Sequence, residues 1–98
     1  MKIDLSLSNT DLYNGCEVEI VGGRANLKTP IAVAVEIVGS NINRIVSEIP
    51  RSDRNEVILT GPMAVWSYLV VFHAVVHAFT SVSYDDGRSE AVVISRHG

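Results

Sequence analysis

The chain has a single cysteine, Cys16, which excludes an internal disulfide and a cysteine-rich zinc site. It has three prolines, no low-complexity tract and no internal repeat, so neither a linker nor a repeat array divides it. Positive charge is also scarce. Eight Lys and Arg against eleven Asp and Glu give a formal charge of -3, which argues against broad binding to duplex DNA, where affinity comes from many contacts between basic side chains and phosphates. The longest apolar run, Met63 to Phe79, contains Ser67, His73 and His77 and lacks basic flanks, so no membrane span is expected. No basic, apolar and small-residue leader opens the chain, which points to the cytoplasm.

What is present suits one folded domain over residues 1–98. A composition 47% hydrophobic and 19% charged is too apolar for a disordered chain. At this size folding buries roughly 60–65% of the surface the unfolded chain exposes, enough for one core of modest depth. Self-association would add to it.

Lys2 to Ser8 alternates Ile3, Leu5 and Leu7 with polar residues, the period of a strand with one buried face. Asn14-Gly15 then predicts a turn, and Cys16 to Val21 a second strand that completes a hairpin before Gly22-Gly23 interrupts it. After a polar loop ending at Pro30, the β-branched stretch IAVAVEIV favours a third strand that stops at Gly39. Ser40 or Asn41 caps a short helix through Ile49, which Pro50 ends. EVILT at 56–60 reads as a strand, and Gly61-Pro62 as the junction into a helix running to His77, because proline is tolerated in a first helical turn. Two strands follow, Phe79 to Tyr84 and Ala91 to Ser95, joined by DDGRSE. The fold class expected is α/β or α+β, a mixed sheet packed with two helices.

The chemistry-bearing residues concentrate in the second half. On a helix, residues four apart lie about 40° apart around the axis, so His73 and His77 are expected to share a face. That spacing can supply two metal ligands, but HAVVH lacks the acidic second residue of the zinc-protease motif. As a purely structural feature the pair would be two partly buried imidazoles bonded to backbone or water. Asp85, Asp86 and Arg88 occupy a glycine-containing turn of a kind that is commonly just solvated. Their position directly after the strand that follows the histidine helix allows carboxylate, guanidinium and imidazole to converge at one sheet edge. His97 closes the last strand.

Taken in order, IPRSDRNEVILTGPMAVW, the helix with His73 and His77, SVSYDDGR and AVVISRH resemble the small CRISPR-associated ring-nuclease family of type III systems. The similarity spans Ile31 to His97, and its moderately specific elements are G-P…W…H…H, Y-D…R and A-V-V-x-x-x-H. The resemblance implies a fold distantly like cyclic-oligoadenylate sensor domains and a homodimer. It further implies cleavage of the second messenger cyclic tetra-adenylate, stimulated by manganese, in a ring held between two dimers with a site shared across subunits. Carried over by position, His77, or else His73, matches the helix histidine, Asp85 the aspartate after the tyrosine, Arg88 the arginine of the turn, and His97 the histidine closing the last strand. The expected catalytic set is His77, Asp85, Arg88 and His97, with His73, Arg88, Ser95 and His97 expected to contact substrate and Asp85 and His77 to ligate manganese.

Two departures stand out. The family's turn reads Asp-Pro-Arg, whereas Asp85-Asp86-Gly87-Arg88 is one residue longer and lacks proline. The family also carries a strand-rich tail after the final histidine. Here NTDLYNGCEVEIV, near the front, is similar to that tail, and a circular permutation in which the front supplies the tail's strand would account for it.

Strand cleavage by the ribose 2′-OH needs a base, charge neutralisation at phosphorus and help for the leaving 5′ oxygen. Histidine suits the proton transfers, and arginine or a metal held by aspartate suits the phosphate. His77 or His97 is therefore expected to move the proton, Asp85 to help hold manganese and Arg88 to bind phosphate. Two other readings fit the same residues: a protein that captures the messenger without cutting it, and an interaction module whose apolar histidine helix is an oligomer interface.

Overall fold

The computed structural model describes residues 1–97 and shows a mixed sheet packed with two helices, an α+β fold. Strands β1 (Lys2–Asp4), β4 (Glu56–Thr60), β5 (Ser81–Asp85) and β6 (Val92–Arg96) form a four-stranded sheet in the order β1-β4-β5-β6. The first three are parallel and β6 is antiparallel to β5. Helices α1 (Ile31–Ser47) and α2 (Val65–Val75) make the crossovers between the parallel strands. A separate antiparallel pair, β2 (Val18–Val21) and β3 (Arg24–Leu27), lies outside that sheet.

Strand alternation sorts the sheet into two faces. Ile3, Val57, Leu59 and Val82 point one way and share a single core with Val38, Ile42 and Val46 of α1 and Val71 and Val75 of α2. Leu5 and Leu12, both fully buried, extend that core under the segment after β1. This segment is tied down internally. Tyr13 Oη donates to the carbonyl of Leu5, leaving its lone pair for the Ser67 hydroxyl at 2.7 Å, and Asn41 Nδ2 donates to the carbonyls of Leu12 and Asn14. Among the described residues no buried side-chain polar atom lacks a partner, as a stable core requires.

Three expectations are corrected. Strand β1 stops at Asp4 because the Asp4 carboxylate accepts from both the amide and the hydroxyl of Ser6, a local bond that turns the chain and competes with the ladder. Cys16 to Val21 does not pair with β1; β2 pairs with β3 across Gly22-Gly23, both at positive φ, which is the backbone that two-residue hairpin turns require. The segment NTDLYNGCEVEIV thus places turns and β2 outside the main sheet, and the front contributes β1 to it instead. Finally, IAVAVEIV is the first half of α1 and not a strand. The buried residues Ala34, Val38, Ile42 and Val46 recur every four positions, and Gly39 sits inside the helix, facing Val70 of α2.

No helix among the described residues is long and apolar enough to cross a membrane. Helix α2 exposes Val65 and Leu69, and the neighbouring edge strand β6 exposes Val92 and Ile94. Beneath them a wholly apolar pocket of about 290 Å³ opens between Tyr68, Leu69, Phe72, Tyr84 and Ile94.

Candidate functional site

The parallel register puts the starts of β4 and β5 side by side, with Glu56 opposite Ser81, and the antiparallel β6 brings its last residues to the same end, with Arg96 opposite Ser81. Backbone bonds continue beyond the strands: Thr80 N to the carbonyl of Arg54, Ser81 N to that of Asn55, and His97 N to that of Thr80 at 2.6 Å. His97 is thereby held at the sheet's end. His77 reaches the same place because α2 ends at Val75 and the chain turns sharply, with the amides of Ala78 and Phe79 both donating to the Val75 carbonyl. The two imidazoles lie with ring centroids 5.8 Å apart and planes inclined by 38°.

Next to them is a pocket of about 330 Å³ lined by Arg51, Arg54, Asn55, His77, Ala78 and Thr80, with no carboxylate among its lining residues. Arg51 belongs to a single 3-10 turn, Arg51–Asp53, that starts after Pro50. Arg54 has a structural task, since its Nε donates to the carbonyl of Ile49 at 2.9 Å and its second guanidinium nitrogen to that of Val46 at 3.1 Å. Those carbonyls lie at the C-terminal end of α1, where a cation also offsets the helix dipole.

His73 and His77 do not share a site. His73 is exposed on α2 and lines the groove between the helices with Glu36, Gly39 and Asn43, whereas His77 lies past the helix end, where helical spacing no longer sets direction.

Asp85 and Arg88 lie at the other end of β5, away from the imidazoles. From Thr80 to Asp85 an extended chain covers roughly 16 Å at ~3.3 Å per residue. Asp85 accepts from the amide of Gly87 at 2.8 Å, pairs with Lys2 at 3.4 Å, and its carbonyl takes the Thr60 hydroxyl. In the turn, one oxygen of Asp86 receives the amides of Arg88 and Ser89, which holds its carboxyl below the ordinary range. The acids of DDGR therefore shape the loop, and the Arg88 guanidinium projects from it with no hydrogen bond or ion pair among the described residues. Ser95 is half-buried opposite Val82.

Within one chain Asp85 and His77 do not fit a common manganese ion, and no group of three His, Cys, Asp or Glu side chains gathers among the described residues. A metal held by both would have to bridge two copies. Sequence reasoning missed Arg51, Asn55 and Thr80. The signal available was two arginines between the helix-ending Pro50 and the strand EVILT, a segment whose place at the sheet's end follows only from the parallel register.

The acidic end contains a tyrosine with its own titration. Tyr68 Oη donates to the Gly61 carbonyl at 2.6 Å, and burial, followed by the nearby Tyr84, pushes its pKa up to about 12 from the ordinary 10.0. Because the folded value is raised, the neutral phenol stabilises the fold fully below pH 10, and this contribution is lost as pH climbs toward 12. Tyr68→Phe is expected to make stability fall less steeply between pH 10 and 12 and to remove one late-ionising phenol from an ultraviolet tyrosinate titration. An unchanged titration curve would contradict the assignment.

Comparison with protein-family models, curated proteins and solved structures finds no match to this chain.

Proposed function

We propose that this protein is a phosphodiesterase acting on cyclic oligoadenylate, a ring nuclease that opens cyclic tetra-adenylate to linear products in the cytoplasm of a cell using a type III CRISPR defence. The observation that carries the reading is the approach of His77 and His97, from different elements, to 5.8 Å beside a pocket with two arginines and no lining carboxylate. One imidazole takes the proton of a ribose 2′-OH as its oxygen attacks the adjacent phosphorus. The other gives a proton to the departing 5′ oxygen as the P–O5′ bond breaks, leaving a 2′,3′-cyclic phosphate. Histidine suits both roles near neutral pH, and the cationic wall favours the charge that builds on the phosphoryl oxygens.

The pocket matches one nucleotide better than a whole ring, being near the ~300 Å³ lower bound of ligand sites. A tetra-adenylate ring therefore needs several copies around it. The reading accordingly includes a homodimer, and a higher assembly about the ligand in which Asp85 and Arg88 of one copy approach the histidine pair of another. The exposed Val65, Leu69, Val92 and Ile94 favour such self-association, since contiguous apolar surface tends to be buried between subunits.

Incubation of the full chain with cyclic adenylates of several ring sizes, with and without manganese, followed by chromatography, tests this. Linear adenylates from the tetramer ring are the expected product. The distance of Asp85 from the imidazoles favours a second reading, capture of the messenger without cleavage. Retained binding with an intact ring after long incubation with several divalent ions would establish capture instead.

A further inference from the structure

We infer that Arg51, with Asn55 and Thr80, forms a phosphate-anchoring subsite that holds one phosphate group of a nucleotide against His77. The inference deepens the reading above and rests on it for the nucleotide, though not for the phosphate.

The pocket's polar side chains are two guanidinium groups, the amide of Asn55, the hydroxyl of Thr80 and the imidazole of His77, each able to donate to an anion and none a carboxylate. Arg51 makes no hydrogen bond or ion pair with its guanidinium among the described residues, although it is exposed beside Asp53 in the same turn. The side chains of Asn55 and Thr80 are similarly unengaged, while their backbones are fixed by the sheet-end bonds from Ser81 N to Asn55 O and from Thr80 N to Arg54 O. These donors have no protein bond to give up when an anion arrives, and the fixed backbone limits the ordering cost to their side chains. Arg51's planar fork matches two oxygens of a phosphate, which a point charge would not.

Two features act against an anion here, the carboxylate of Asp53 in the same turn and the negative C-terminal end of α1. Arg54 offsets the helix end by donating to the carbonyls of Val46 and Ile49, so Arg54 prepares the pocket and Arg51 remains available for the ligand. The opposite end of the sheet offers no comparable set, as Asp4 and Asp85 dominate it and bond to Ser6, Gly87 and Lys2.

Titration of the folded full chain with inorganic phosphate at constant ionic strength, followed by amide and side-chain NMR, tests the subsite without requiring cleavage. Saturable shifts are expected at Arg51, Asn55, His77 and Thr80. Arg51→Ala should weaken the apparent Kd by about tenfold, the loss of a charge-assisted bond, with Arg51→Lys intermediate and Arg24→Ala, on the separate β2–β3 pair, unchanged. Adenosine 5′-monophosphate should bind at the same residues more tightly than phosphate. Shifts that fail to saturate, or an Arg51→Ala protein that keeps wild-type affinity with a native amide spectrum, would overturn the inference. If the ring stays uncut yet phosphate binding depends on Arg51, the subsite stands and the nuclease reading falls. If the ring is cut and phosphate binding ignores Arg51, the reverse holds.

Discussion

Gly61→Ala is expected to destabilise the protein by about 3 kcal/mol, lowering Tm by on the order of 12–24 °C at ~4–8 °C per kcal/mol for a domain of this size. Gly61 sits where β4 turns toward α2, with φ at +105°, a conformation that L side chains rarely adopt. Strain of that kind costs about 1–3 kcal/mol per residue. Here there is also no room. A Cβ would collide with the Asp4 carboxylate and come within 3.0 Å of the Ser6 amide nitrogen and 3.1 Å of that of Leu5. Two of those atoms are backbone, and the Asp4 carboxylate is fixed by two bonds from Ser6, so relief means moving the end of β1. The loss of unfolded-chain freedom on replacing glycine works the other way but supplies only ~0.4–1 kcal/mol. Gly87→Ala is the control, because its φ is +81° with nothing within 4 Å of the added Cβ. It should cost about 1–2 kcal/mol from backbone strain alone. Chemical denaturation of both variants measures the difference, and a Gly61→Ala protein no less stable than Gly87→Ala would refute the close approach at this junction.

The elements following residue 55 were legible in kind and order because their signals agree, although α2 starts at Val65, beyond the expected first turn at Pro62, and ends at Val75. EVILT has both the alternation and the β-branched content of a strand, and Gly61-Pro62 precedes a continuous apolar run too long for one. The first half misleads because two periods compete. IAVAVEIV is β-branched at Ile31, Val33, Val35, Ile37 and Val38, and Gly39 resembles a stop. The four-residue stripe becomes visible only when Ala34 to Val46 is read straight through the glycine. Glycine costs ~1 kcal/mol in a helix interior, and here it lies where α1 meets Val70 of α2. Strand β3 was illegible for a different reason. RANL has neither alternation nor bulk, and the Gly-Gly turn pairs it with β2.

The site divides along the same line. His77 and His97 come together because sheet register is a long-range property that a helical repeat cannot reveal. The expected pairing of His73 with His77 fails where the helix ends, one turn earlier than the apolar run suggests. Asp85 and Arg88 share a turn as expected, yet the length of β5 separates them from the imidazoles of their own chain. Sequence proximity across a strand implies opposite ends of a sheet.

That separation shapes the largest expected effect on activity. If the protein opens cyclic tetra-adenylate as proposed, His77→Ala and His97→Ala should each slow that reaction by about 10²–10⁴-fold, the usual contribution of a positioned acid or base, equivalent to ~3–5 kcal/mol of barrier. Neither change should unfold the protein, since both side chains are exposed and the bond from His97 to Thr80 uses the backbone amide. The double variant should be little slower than either single one, because an acid and a base that act as a unit in one displacement lose their effects together and not additively. Asp85→Ala should also be slow if a second copy brings this carboxylate to the histidine pair. In that arrangement, mixing inactive His77→Ala with inactive Asp85→Ala rebuilds an intact site at some subunit boundaries, and measurable activity returns. Two single histidine variants that cut at the wild-type rate would remove the imidazole pair from the chemistry. Slow histidine variants beside an Asp85→Ala protein that cuts at the wild-type rate would confine the chemistry to the imidazole pair and leave the Asp85 carboxylate with its bonds to Lys2 and Gly87.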